Sequence, residues 1–275
     1  MTQEDVEQSV DVAARAFEVE FSSDEERAGW IRRLRHALST DPDGCFVSTE
    51  RRRVTGVAQA IRREQLWNLS LLTVDPGSQS SGAGRQLLAA ACGYLQPGDN
   101  GLIVSSNDPR AMRIYAMAGF DVQLTLESVG AVDRKALPPA DPRIRAVTLE
   151  TIEQLEPVTR VVRGAPYTLE LPGALAWGVE IYALEDRGYV IIRQGRGIWA
   201  LGAADEEAAS ALLWFGLEML GSDPSWPPLR WVTEDQRWAV KVARQAGLRL
   251  QPFGALCVRG EPGTLNPYLP SGPYA

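Results

Sequence analysis

A glycine-bearing loop, Gln79-Ser80-Ser81-Gly82-Ala83-Gly84, lies between an apolar run, Leu66 to Val74, and an amphipathic run that begins at Arg85. The spacing predicts a strand, a tight loop and a helix N-terminus. Such a junction aims free backbone N–H groups and the positive end of a helix dipole at one point, which suits a phosphate. Glycine at 82 and 84 keeps side-chain carbon away from that point. Alone, the loop reads equally well as an ordinary strand-to-helix turn. A second segment at a fitting distance sharpens it. Gly101 to Ser106 reads as a strand, Asn107 or Asp108 caps the next helix, Pro109 suits its first turn and Gly119 its end. Ala111, Ile114, Tyr115 and Ala118 share one face of that helix.

The chain has 275 residues, which favours two domains, and its 45% hydrophobic content is enough for sizeable cores. A net charge of −7 argues against nucleic acid or an anionic membrane as the main partner. Cys45, Cys92 and Cys257 are far apart and odd in number, so no disulfide framework or C-x-x-C metal site is expected. His36 is the only histidine, which excludes a histidine-rich metal site. No apolar run approaches a membrane span and the N-terminus is acidic, so the expectation is a cytoplasmic protein without a metal.

Residues 2–39 read as two helices, the first with a stripe of Val6, Val10, Ala13, Ala14 and Phe17, the second capped by Ser22 or Ser23. Short strands follow at Cys45–Ser48 and Val54–Ile61, then the run to Val74. Residues 133–143 hold three prolines beside charge and read as a linker. Beyond it the plan recurs: a strand at 144–147, a helix at 149–162, strands at 188–192 and 197–201, a helix at 206–220, a strand at 229–232 and a helix at 236–246. Laying Leu87-Leu88 on Leu212-Leu213 sets Gly82 against Glu207. Laying Gly119 on Gly247 sets Tyr115 against Ala243 and Asn107 against Asp235. A carboxylate at the phosphate position repels a diphosphate, so the second repeat reads as degenerate. Two unrelated α/β domains are the other reading. The expected architecture is α/β, with two tandem domains at 1–135 and 143–275, each a mixed sheet flanked by helices. The tail from Pro262 is too proline-rich for regular structure, and its tyrosines and leucine suggest that it lies on the protein.

Val74-Asp75-Pro76, Gln79-x-x-Gly82-x-Gly84 and Asn107-x3-Ala111-x3-Tyr115-x3-Gly119-Phe120 together resemble the GNAT superfamily of N-acetyltransferases, over about residues 40–130. The resemblance implies acetyl-CoA, or another acyl-CoA, in a V-shaped gap between two parallel strands. It places cofactor contacts at Leu72, Thr73, Val74, Gln79, Ser80, Ser81, Gly82, Ala83, Gly84, Arg85 and Asn107. It implies transfer of the acyl group to a primary amine, by direct attack in a ternary complex, with Tyr115 as general acid. The family normally begins with a strand ahead of the first helix, and that strand is missing here or supplied from elsewhere.

A phenol with a pKa of about 10 is protonated at neutral pH and suits a departing thiolate, although Tyr115 also reads as a packing residue. Some family members carry a glutamate eleven residues before the loop glutamine; that position here is Asn68. Strand alternation puts Asn68 and Ser70 on one face with Leu72 and Val74. The two polar groups hold a relay water, contact the acceptor, or are simply satisfied polar groups. Glu18, Glu20 and Phe21, with Trp67 as a wall, are candidates for receiving a small-molecule amine; a solvated helix end is the bland alternative. A non-catalytic acyl-CoA sensor and an interaction protein remain rival readings. A homodimer is compatible with any of them.

Overall fold

Strand β3 (Leu66–Val74) is mostly apolar and almost wholly buried, as expected for a central strand covered on both faces. It is described here, with the rest of the chain, from a computed structural model that covers all residues except 80–81, 176–177, 222–225 and 275. Before β3 come α1 (Val6–Ala16), α2 (Asp24–Thr40), β1 (Cys45–Glu50) and β2 (Arg53–Arg63). After it come α3 (Ala83–Cys92), β4 (Asn100–Ser105), α4 (Pro109–Met117) and β5 (Asp121–Val129). Ser23 caps α2 by accepting from Glu26 N, and Asp108 caps α4 by accepting from Arg110 N.

The second run is β6 (Ile144–Ala146), α5 (Glu156–Arg163), α6 (Leu171–Leu175), β7 (Val179–Leu184), β8 (Gly188–Arg193), β9 (Gly197–Ala203) and α7 (Glu206–Met219). It ends with α8 (Arg237–Gln245), β10 (Arg249–Arg259) and β11 (Tyr268–Leu269). The order of the first half thus recurs, with segment 229–232 standing where β4 stands. Strands β7 and β10 are absent from the sequence reading. In β10 the reason is local: Pro252 and Gly254 look like breakers, but they flank a bulge that absorbs both.

The first sheet has the order β1-β2-β3-β4-β10-β5, with β3 and β4 parallel and the other neighbours antiparallel. The second has the order β11-β9-β8-β7-β6 and is antiparallel throughout. Strand β10 comes near the end of the second half, yet it lies between β4 and β5. The outer edge of β5 is met in turn by segment 229–232, through a Leu126–Val232 bridge and Ser128 N to Leu229 O at 3.0 Å. Strands of the two halves therefore alternate, and each satisfies backbone groups that the other would leave open. The linker at 133–143 separates the two runs of elements but not the two sheets. The core is shared as well: Val6, Leu34, Ile61 and Leu71 cluster with Tyr167, Ile181, Tyr189 and Tyr268.

Candidate active site

Strand β3 pairs with β4 only over Leu66–Asn68, against Asn100–Leu102. On its other edge β4 pairs with β10 from Gly101 to Ser105. From Leu69 to Val74, β3 is held by β2 alone, so a wedge opens between the two parallel strands. At its mouth β3 carries a bulge: Leu69 faces Ala60 and Leu71 faces Gln59, which leaves Ser70 as the extra residue. The bulge overturns the expectation that Asn68 and Ser70 share a face with Leu72 and Val74. One inserted residue resets the two-residue alternation. Trp67, Leu69, Leu72 and Val74 all pack with residues of α3 and α4, whereas Leu71 joins Val6 and Leu34 of α1 and α2. Asn68, between Trp67 and Leu69, thus lies on the α1–α2 face.

Helix α3 points its N-terminus at the wide end of the wedge. Its N-cap is Gly82, at φ +87°, and a Cβ on Gly82 would meet nothing within 4 Å. A Cβ on Gly84 would reach only Val74 Cγ2, at 3.6 Å. With no side-chain carbon at Gly82 or Gly84, this helix end has room for a diphosphate. Ala83 is half-buried and Arg85 exposed. Ser80 and Ser81 lie outside the described residues. The Gln79 side chain is committed to the strand, with Nε2 donating to Val74 O at 3.3 Å. Asp75 anchors the start of the loop. It accepts from Arg15 at 2.7 Å, Arg53 at 3.2 Å and Gly77 N at 3.1 Å. Burial works to raise its pKa, but the Arg15 bond, the Gly77 bond and the arginine charges outweigh that and hold it below the ordinary value.

Tyr115 packs on the α3–α4 face with Trp67, Leu69, Ile103 and Phe120, at 5% exposure. Burial, with smaller effects of Cys257 and Asp108, pushes its pKa up, so the phenol stays protonated at neutral pH. Asn68 is 1% exposed; its Nδ2 donates to Pro273 O at 3.1 Å and its Oδ1 is buried without a partner. Thr73 Oγ1 is likewise buried and unpartnered. Tyr115 and Asn68 therefore flank the wedge from opposite faces of the sheet.

Several expected residues sit elsewhere. Trp67 is fully buried and its indole donates to Ala91 O at 3.1 Å, so it is core and not a wall. Asn107 Oδ1 accepts from Gly254 N at 2.5 Å, which ties that oxygen to the inserted strand. Glu18, at φ +53°, and Glu20 are exposed. Phe21 packs edge-on against Trp30, with ring centroids 5.9 Å apart. Beside that loop, Glu26 pairs with Arg196 from the second half, a contact that no motif announces.

The second half has a corresponding wedge, and it is filled. Ile198 N donates to Pro228 O at 2.8 Å, after which β9 and segment 229–232 part. Into the opening runs the tail: Tyr268 and Leu269 pair with Gly202 and Leu201 of β9. Gln236, at the N-cap of α8, takes the other side, donating to Leu265 O at 2.6 Å and accepting from Tyr268 N at 3.2 Å. The cap of α7 is Asp205, two residues before the position aligned with Gly82, and Glu206 and Glu207 follow in the first turn.

The sequence profile of the acetyltransferase (GNAT) domain matches residues 5–130. No curated protein shows a significant sequence match. Among solved structures, a candidate acetyltransferase from Pyrococcus horikoshii superposes with a TM-score of 0.78 at 13% identity, over 100% of this chain and 94% of that one. A tandem GNAT protein from the clavulanic acid biosynthesis pathway gives 0.53 at 17% identity, over 93% and 94%. A GCN5-related N-acetyltransferase from Sphaerobacter thermophilus gives 0.51 at 13%, over 94% and 93%. At these identities the structures share the fold. Residues 5–130 thus form an acetyltransferase (GNAT) domain, and the chain as a whole shares its fold with these structures, a tandem GNAT protein among them.

Proposed function

We propose that the first half transfers an acetyl group from acetyl-CoA to the primary amine of a small molecule, by direct attack in a ternary complex. The observation that carries this reading is the wedge itself, with the glycine-lined N-terminus of α3 at its wide end and Tyr115 and Asn68 on opposite faces of its narrow end. Backbone N–H groups at the start of α3 would hold the diphosphate, and the edge of β3 at Leu72–Val74 that is not paired with β4 would hold the pantetheine arm. Acetyl-CoA supplies the acyl group as a thioester, already activated toward amines.

The rest falls to the chain's own side chains. Tyr115, neutral and buried, is the proton donor for the departing thiolate on the α3–α4 face. The acceptor comes from the other face, where Asn68 Oδ1 is an unspent acceptor suited to an amine N–H or to a bound water. No carboxylate occupies that position, so proton removal rests on water or on amine that is already neutral. Glu64, on the turn between β2 and β3, is a more remote carboxylate and is paired with Arg160 at 2.8 Å. In the second half the carboxylates at the start of α7 and the tail in the wedge both oppose cofactor binding, which supports a degenerate repeat. The amide at residue 68 also leaves a reading as a non-catalytic acyl-CoA sensor. A screen of primary amines for release of free CoA decides between them: transfer to at least one amine is expected, and acetyl-CoA binding without turnover on any amine would establish the sensor.

A further inference from the structure

The tail of the chain is ordinary neither in burial nor in bonding. Tyr268, Leu269, Ser271 and Tyr274 are each at most 3% exposed. The stretch 265–269 is bonded on two sides within the second wedge, to β9 and to Gln236, and Ala203 N donates to Pro267 O at 3.2 Å. Tyr268 Oη also meets Tyr167 Oη at 2.8 Å. Anchored there, the next residues run to the first half. Pro273 O takes the Asn68 amide, Tyr274 O takes Arg163 Nη2 at 2.9 Å, and the Tyr274 ring packs edge-on against Trp199, with centroids 5.4 Å apart. Arg163 is itself fixed by Ala165 O and Pro166 O, at 2.9 and 3.0 Å.

We infer that Pro273 and Tyr274 form the acceptor-side wall of the transfer wedge, and that the tail's seat in the second wedge is what holds them there. The inference rests on the proposed transfer reaction, because it assigns a specificity role within that site. Its physical content is that the chain itself covers the face of Asn68 from which the amine approaches. An acceptor reaching the wedge must pass a proline and an aromatic ring whose positions are set by backbone bonds. This wall selects for a slim, unbranched aminomethyl group and against a bulky or branched amine.

The test compares Tyr274→Ala with the wild type. Acetyl-CoA affinity is read by calorimetry, and kcat/KM is read for a slender and for a branched primary amine. The expected result is acetyl-CoA affinity within about twofold of wild type and a shift of about tenfold or more in the kcat/KM ratio toward the branched amine, the size of one poorly fitting group in a pocket. Tyr274→Leu, which keeps apolar volume, serves as a second variant if the alanine form folds poorly; a smaller shift in the same direction is expected. An unchanged ratio in a folded, active variant overturns the wall. Loss of acetyl-CoA affinity overturns it too, since the residue would then serve the cofactor side. Failure of the wild type to acetylate any amine is a different result: it removes the transfer reaction and the wall with it.

Discussion

Arg63 on β2 and Glu170, just before α6, form an ion pair across the two halves, with Nε to Oε1 at 2.6 Å and both side chains at most 7% exposed. Asp41 completes the group, accepting from Arg63 Nη1 at 2.9 Å. Removing Glu170 takes away one of the two buried carboxylates that Arg63 meets and leaves Asp41 to pair with it. Glu170→Ala is therefore expected to destabilise the protein by about 1–3 kcal/mol in urea unfolding, the cost of lost hydrogen bonds to a charged group. Because the core and the first sheet draw on both halves, tryptophan fluorescence and circular dichroism should report one coincident transition. Two separated transitions would mean that the halves unfold independently.

One equivalent of acetyl-CoA is expected per chain in calorimetry. The first wedge offers Gly82 and an open strand edge, whereas the second is filled by Tyr268 and Leu269. Gly82→Glu puts a carboxylate at the helix end and should weaken binding by at least on the order of a hundredfold, about 2.8 kcal/mol. Retained affinity would place the diphosphate elsewhere.

Tyr115→Phe keeps the ring among Trp67, Leu69 and Phe120 and removes only the hydroxyl. With chemistry rate-limiting, kcat should fall by on the order of 10²–10⁴ while the Kd for acetyl-CoA stays put. An unchanged kcat would leave Tyr115 as a packing residue.

Asn68→Ala removes both the bond to Pro273 and the free Oδ1. The expected signature is a raised KM for the amine with a smaller change in kcat. The rate should rise with pH toward the amine's own pKa. Single replacements of Glu18, Glu20 and Glu64 should leave that profile in place; complete loss of turnover in one of them, with binding and folding intact, would identify a side-chain base.

Asp75 links the loop to pH. Its folded-state pKa lies below the ordinary 3.8, so the stability it contributes is fully present above that value and is lost as the pH falls through the folded-state pKa. Asp75→Asn should flatten the dependence of stability on pH below about pH 4, while changing little of that slope near neutrality. Chemical unfolding at a series of acid pH values measures it.

What the sequence by itself determined is local. The apolar run to Val74, the glycines at 82 and 84, the caps at Ser23 and Asp108 and the spacing around Tyr115 each act within a few residues, and each is realised where it was read. The recurrence of elements after the linker was legible for the same reason. Only the tertiary structure decided what depends on pairing between distant segments. The bulge at Ser70 exists because β2 and β3 differ in register by one residue, and it alone sends Asn68 to the α1–α2 face. Trp67 became core because that same strand turned it toward Ala91. Strand β10 entered the first sheet, against the order of the chain, because β4 and β5 leave two edges that one strand can satisfy. The tail reached Asn68 because the second wedge offered an unpaired strand edge, and no neighbour in sequence carries a trace of that contact between residues 68 and 273.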